Sequence, residues 1–228
     1  MKDGFKVIDA DRHILEPSEL YQNYLPEKFK NRVRLGGPNQ TVREVDGKPV
    51  SDSAQRPGRA MEDFGYIFSS SKRWRECFAD AYANKFDPAS NLRDMDREGI
   101  DVSVLFPTIG LYIMWRDDID PELSAAICRA YNTWLADYCD HDRKRLYGVM
   151  LLPLQDPARA VAELKHAREK LGLVGIFWDV NVGSVAKVFA GSGELLDQAF
   201  VRRTDKFLGE LLWMAKTLRH GRENIPLR

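Results

Sequence analysis

The stretch DPASNLRDMDREGIDVSVLFPT (Asp87–Thr108) contains the unit on which the fold is built. Asp87 precedes Pro88, which places an N-cap carboxylate before a proline at the first helical position, where its missing N–H costs nothing. Gly99 stands just past the last apolar residue of that helix, as a left-handed C-terminal cap requires. Asp101 to Phe106 (DVSVLF) is then short, apolar and rich in β-branched residues, the signature of a buried strand. The same grammar recurs on both sides. Further strands are predicted at Phe5 to Ala10 (FKVIDA), Leu146 to Leu152 (LYGVMLL) and Leu173 to Phe177 (LVGIF). Further helices begin at Asp120-Pro121 and Asp156-Pro157, the second with Gly172 beyond its end. The middle helix carries Leu123, Ala126, Ile127, Ala130, Trp134, Leu135 and Tyr138 on one stripe, and the last carries Val161, Leu164, Ala167 and Leu171. Near-continuous apolar strands separated by helices argue for a parallel sheet covered by helices, an α/β fold.

Residues 11–87 form an excursion far longer than an ordinary strand-to-helix loop and must have structure of their own. Thr41 to Val45 and Lys48 to Val50 flank Asp46-Gly47, a two-residue hairpin signal. An aromatic stretch, Phe64, Tyr66, Phe68 and Trp74, leads into a short helix near Trp74 to Ala83. The excursion leaves the carboxyl end of the first strand, so a pocket wall or lid and an external decoration are both open readings.

Composition narrows the classes. The 228 residues include 34 Lys+Arg and 34 Asp+Glu, with 44% apolar and 30% charged. Zero net charge supplies no field for nucleic acid or anionic membrane, so neither partner is expected. No apolar run reaches the ~20 residues of a membrane helix, and the start MKDGFKVIDA lacks a signal-peptide core. A cytoplasmic location is the expectation. Cys77, Cys128 and Cys139 form neither a disulfide framework nor a CxxC metal site and read as reduced core thiols.

One cluster carries chemistry. The first strand runs on as Val7-Ile8-Asp9-Ala10-Asp11-Arg12-His13-Ile14-Leu15-Glu16-Pro17. In extended backbone Asp11 and His13 share a face, so a carboxylate and an imidazole can converge on one divalent ion, zinc being the first candidate. Arg12 and Glu16 beside them read as structural.

These residues also carry a resemblance. VIDADRHILEP (7–17), NLRDMDREGIDVSVLFPT (91–108), CRAYNTWLADYC (128–139) and RLYGVMLLPLQDPARAVAELKHAREKLGLVGI (145–176) resemble, in order, the amidohydrolase-related family that includes aminocarboxymuconate-semialdehyde decarboxylase and the resorcylate-type decarboxylases. The resemblance implies a (β/α)8 barrel with one metal at the carboxyl ends of its strands. Asp11 falls on its first ligand position and His13 on its second. The family's later His and Asp ligands have no match: His141, His166 and His220 sit on or after helices, and Asp179 corresponds to no family ligand.

A barrel uses roughly 30 residues per strand-helix unit, whereas 52 residues run from Phe177 to Arg228. The expectation is therefore a partial barrel of about four units over residues 1–177, with the 11–87 insertion, and a divergent tail over 178–228. That tail holds an amphipathic helix bearing Phe207, Leu211, Met214, Ala215 and Leu218 on one face, with Leu208 and Leu212 alongside. It either covers apolar surface or is non-native sequence from a shifted reading frame. Two functional readings follow. One is a metal-dependent hydrolase or decarboxylase, truncated, acting on a small carboxylate-bearing or aromatic molecule, its pocket lined by the 11–87 excursion, Phe106-Pro107-Thr108, Tyr112 and Trp115. The other is a catalytically silent half-barrel whose open sheet edges pair with a second copy.

Overall fold

The computed structural model describes residues 4–36, 41–50 and 76–175, together with scattered positions between 195 and 224. The chain divides into two compact units, Met1–Gly175 and Ile176–Arg228.

In the first unit, β1 (Ile8–Ile14), β5 (Val102–Pro107) and β6 (Leu146–Gly148) form a parallel sheet in the order β1-β5-β6. Val174 adds a parallel bridge to Val149. Each strand thus joins the same side as its predecessor, without the reversal of a doubly wound sheet. The sheet lies against α4 (Pro88–Glu98) and α6 (Pro121–Cys139), with α7 (Pro157–Glu169) after it.

The three Asp-Pro starts form as read. Asp87 accepts from Ser90 N–H at 2.7 Å, Asp120 from Glu122 N–H at 2.8 Å, and Asp156 from Ala158 and Arg159 N–H at 3.0 and 3.1 Å. Gly99 caps α4 with φ 76°. Gly172 is also left-handed, at φ 67°, although α7 ends earlier, with Lys170 as its C-cap.

Strand limits move. The first strand spans Ile8–Ile14 and not Phe5 to Ala10, because a register shift between Asp9 and Arg12 lets pairing continue through His13↔Phe106 and Ile14↔Pro107. β6 is shorter than predicted, and Phe177 lies outside the described residues. Residues paired across a parallel ladder share a face. Ser103, Leu105 and Leu146 are buried beneath the helices, whereas Val104 and Phe106 are half-buried and Ile8, His13 and Tyr147 are exposed on the opposite face.

Half of the predicted stripe of the last helix meets the core: Ala167 and Leu171 pack on it, whereas Val161 and Leu164 do not. Ala160, Glu163 and Ala167 face inward, while Val161 and Leu164 are exposed. A polar network sets this orientation: Glu163 accepts from Asn132 Nδ2 at 2.8 Å and Arg129 Nε at 2.7 Å, and Asn132 also exchanges hydrogen bonds with the Leu151 backbone. His166, on the same helix, is half-buried. Cys128 and Cys139 are buried, and burial pushes the Cys139 thiol up to about 11, but Cys77 is exposed and not in the core.

Among its described residues the excursion has its own antiparallel sheet, β2 (Val33–Gly36), β3 (Thr41–Val45) and β4 (Lys48–Pro49), and the short helices α1 (Ser18–Tyr24), α2 (Glu27–Lys30) and α3 (Ala79–Ala83). Asp46 and Gly47 both have positive φ, 55° and 69°, as a mirror-image two-residue turn demands. Arg32 grips both Asp46 oxygens at 2.6 and 2.8 Å and reaches Asp120 at 3.1 Å, which ties the hairpin turn to the start of α6. Phe64, Tyr66, Phe68 and Trp74 lie outside the described residues.

In the second unit, the described positions from Gln198 to Asn224 are helical, and Trp213 is exposed. Phe207, Leu208, Leu211, Leu212, Met214, Ala215 and Leu218 lie outside the described residues, as does Asp179. Among the described residues no helix is long and apolar enough to cross a membrane.

Two measurements check this packing. The Glu122 N–H and then Arg32 hold Asp120 below the usual carboxylate range. Its folded pKa being depressed, Asp120 stabilises above its unfolded value of about 4, and that contribution vanishes as pH falls through the folded value. Asp120→Asn is expected to flatten the acid limb of a urea-derived stability curve; an unchanged limb would contradict the cap. At Gly148 an added Cβ would lie 2.6 Å from Leu135 Cγ and 3.0 Å from Leu173 Cδ2. Gly148→Ala should therefore cost about 1–3 kcal/mol in the same assay.

Candidate functional site

Asp11 and His13 stand together at the carboxyl end of β1, within the strand and not after it. His13 Nε2 lies 4.0 Å from Asp11 Oδ1. A tetrahedral ion ~2.0–2.2 Å from each atom needs the two about 3.4 Å apart, a gap that a small rotation of the exposed Asp11 side chain closes. Their side chains are 49% and 81% exposed, so an ion or substrate can reach both.

The far side of the imidazole is anchored. His13 Nδ1 is 2.9 Å from the Pro107 carbonyl. A carbonyl only accepts, so Nδ1 carries a hydrogen, and in the neutral ring the lone pair is on Nε2, on the Asp11 side. Thr108 Oγ1 donates to the Ile14 carbonyl at 2.8 Å and turns its own lone pair toward Nδ1 at 3.5 Å, consistent with that tautomer. Phe106 packs beside the ring, with centroids 6.2 Å apart.

The neighbours read as structural have defined partners. Arg12 points to the helix side of the sheet, donating to Asn91 Oδ1 at 2.9 Å and Glu98 Oε2 at 3.0 Å. Glu16 is buried and accepts from three successive backbone N–H groups: Thr108 at 2.9 Å, Ile109 at 3.1 Å and Gly110 at 3.0 Å. These groups open α5 (Ile109–Met114), a helix the sequence reading did not foresee. Burial raises the Glu16 pKa, and the N–H groups of Gly110, Ile109 and Thr108 oppose that rise.

Beside the pair lies a cavity of about 660 Å³, a volume suited to a small organic molecule. Asp9, Asp11, Arg12, His13, Asn91, Asp94, Glu98 and Thr108 contribute polar groups; Tyr82, Phe86, Tyr112 and Trp115 contribute aromatic surface. Tyr112 and Trp115 meet edge to face at 6.2 Å. The excursion and the Tyr112–Trp115 wall thus line the cavity as the sequence suggested, whereas Phe106 and Pro107 do not. From the end of the excursion the lining residues include Phe78, Tyr82 and Phe86, which the sequence reading did not single out. Among the described residues, no group of three or more His, Cys, Asp or Glu is placed to hold a metal ion. His141 is exposed after α6 and does not line this cavity, and His220 is an exposed residue of the second unit.

A parallel sheet packed against helices, with an aspartate and a histidine at the carboxyl end of its first strand, makes the first unit an α/β structure. The chain belongs to the amidohydrolase family, whose profile, described as Amidohydrolase, matches residues 8–218. The match extends into the segment that the sequence reading set apart from residue 178. The 2-amino-3-carboxymuconate-6-semialdehyde decarboxylase of Dictyostelium discoideum is 26% identical over 105 residues, 46% of this chain and 28% of that protein. An amidohydrolase from Mycobacterium avium subsp. paratuberculosis K-10 shares the fold with a TM-score of 0.52 at 23% identity, over 75% of this chain and 48% of that one. A dihydroxybenzoic acid decarboxylase from Polaromonas sp. JS666, solved with bound manganese and the inhibitor 2-nitroresorcinol, has a TM-score of 0.39 at 19% identity, over 75% of this chain and 37% of that one. The chain therefore spans between about a quarter and a half of these relatives' lengths.

Proposed function

We propose that residues 1–177 are the metal-binding amino-terminal part of an amidohydrolase-family barrel and that Asp11 and His13 are two ligands of one divalent ion. The reaction is decarboxylation, or hydrolysis, of a small aromatic or carboxylate-bearing molecule held in the adjoining cavity. The observation that carries this reading is the 4.0 Å approach of Asp11 Oδ1 to His13 Nε2, with Nδ1 committed to the Pro107 carbonyl. Family membership and the decarboxylase relative support it. One carboxylate and one imidazole suit zinc, and manganese is the second candidate. When bound, such an ion supplies Lewis acidity toward a substrate oxygen or a water molecule.

The chain's own residues perform the positioning. Pro107 orients the imidazole, and the aromatic surface of Tyr82, Phe86, Tyr112 and Trp115 offers ring faces to a flat substrate while excluding water from one side of it. The remaining ligands of a complete shell lie beyond the described residues in this reading, and residues 178–228 form a divergent tail with an amphipathic helix. A cytoplasmic location belongs to the same proposal. A second reading, a silent half-barrel that associates with another copy, is favoured by β1, which among the described residues pairs on one side only and exposes Ile8.

Metal analysis by mass spectrometry on the wild type and His13→Ala, alongside sedimentation velocity, separates the two readings. A stoichiometric zinc or manganese ion, lost in a folded His13→Ala chain, is the expected result. A metal-free wild type that sediments as a dimer would favour the association module, and a metal-free monomer would contradict both.

A further inference from the structure

We propose that Glu16 is a positioning residue for His13, acting through the single peptide group that joins Pro107 to Thr108. The inference rests on the reading of His13 as a ligand and adds the device that presents its free nitrogen. The Thr108 N–H donates to Glu16 Oε1 at 2.9 Å, and the carbonyl on the other edge of the same peptide, that of Pro107, accepts from His13 Nδ1 at 2.9 Å. A peptide group whose N–H is drawn toward an acceptor becomes a stronger acceptor at its carbonyl, because the two bonds polarise one another. Carboxylate, peptide and imidazole thus form one hydrogen-bonded chain. It does the work that a carboxylate in direct contact with a ligating histidine does elsewhere: it fixes the tautomer and raises the donor strength of the far nitrogen.

The connection is rigid at each end. Ile109 and Gly110 N–H groups hold Glu16 at 3.1 and 3.0 Å, and the Thr108 hydroxyl pins the same turn to the Ile14 carbonyl at 2.8 Å. Gly110 leaves room for Leu151 against this turn: an added Cβ would stand 2.5 Å from Leu151 Cδ1. A carboxylate used only to start α5 would be served by the Ile109 and Gly110 N–H groups. The bond to Thr108 links it to the site.

The test uses the full chain without metal, labelled with 15N in its histidine rings, at about pH 8, where free imidazole is neutral. His13 signals are assigned by their loss in His13→Ala. The wild type is expected to show a protonated Nδ1 and a bare Nε2. Glu16→Gln, which offers one acceptor oxygen where three N–H groups need partners, is expected to shift His13 toward the Nε2–H tautomer and to weaken Zn2+ binding by about 10-fold or more. A backbone ester replacing the Thr108 N–H should do the same with Glu16 intact, and it provides the test if Glu16→Gln does not fold. Wild-type tautomer and affinity in a folded variant of either kind would overturn the proposal. If the wild type binds no Zn2+ but the tautomer shifts, the positioning role stands and the ligand reading falls. If Zn2+ binds and is lost in His13→Ala while both variants match wild type, the ligand reading stands and the positioning role falls.

Discussion

The parallel pairing of β1 with β5 beyond the register shift at Asp9/Arg12 is the constraint on which the rest of the site depends. Without the extra residue, the side chains beyond Asp9 would fall on the other face of the sheet. With it, Arg12 meets Asn91 and Glu98 on the helix side, and His13 lies opposite Phe106 on the open side. The same pairing brings the Pro107 carbonyl to the imidazole and the Glu16 carboxylate to the turn that follows. Two segments more than ninety residues apart thereby define one small region of structure.

Buried polar groups fix the architecture around that region. Glu16 would be a costly burial without partners, and three backbone N–H groups offset its lost hydration. Glu163 is treated alike by Asn132 and Arg129, and this decides which face of α7 turns inward. Both carboxylates join segments distant in sequence, so they specify how elements dock as well as adding to stability. The hairpin sheet of the excursion is secured in the same manner, through Arg32 between Asp46 and Asp120.

Local chemistry made much of the fold legible. The three Asp-Pro starts, the left-handed glycines and the Asp46-Gly47 turn each need only a few adjacent residues, and each forms. The pairing of Asp11 with His13 was legible for the same reason, since i and i+2 share a face of a strand. What escaped depends on contacts across the chain. α5 is opened by a side chain more than ninety residues earlier, and the full reach of β1 comes from its partner strand. The exposed Val161 and Leu164 show the limit most plainly: apolar spacing put them on one stripe with Ala167 and Leu171, but the partners of Glu163 turn the helix so that only the latter two meet the core. The role of Glu16 as an N–H acceptor had no sequence signal, because its partners are backbone groups.

Membership of the amidohydrolase family frames the site, while the fraction of its relatives that the chain covers makes the completeness of the metal shell the question of consequence. The central claim is that Asp11 and His13 hold one ion. The direct measurement is an anomalous difference map from crystals of the chain grown with Mn2+. The account predicts one peak within about 2.0–2.3 Å of both His13 Nε2 and an Asp11 carboxylate oxygen. A peak elsewhere with none between these two side chains, or no peak at all, would contradict it.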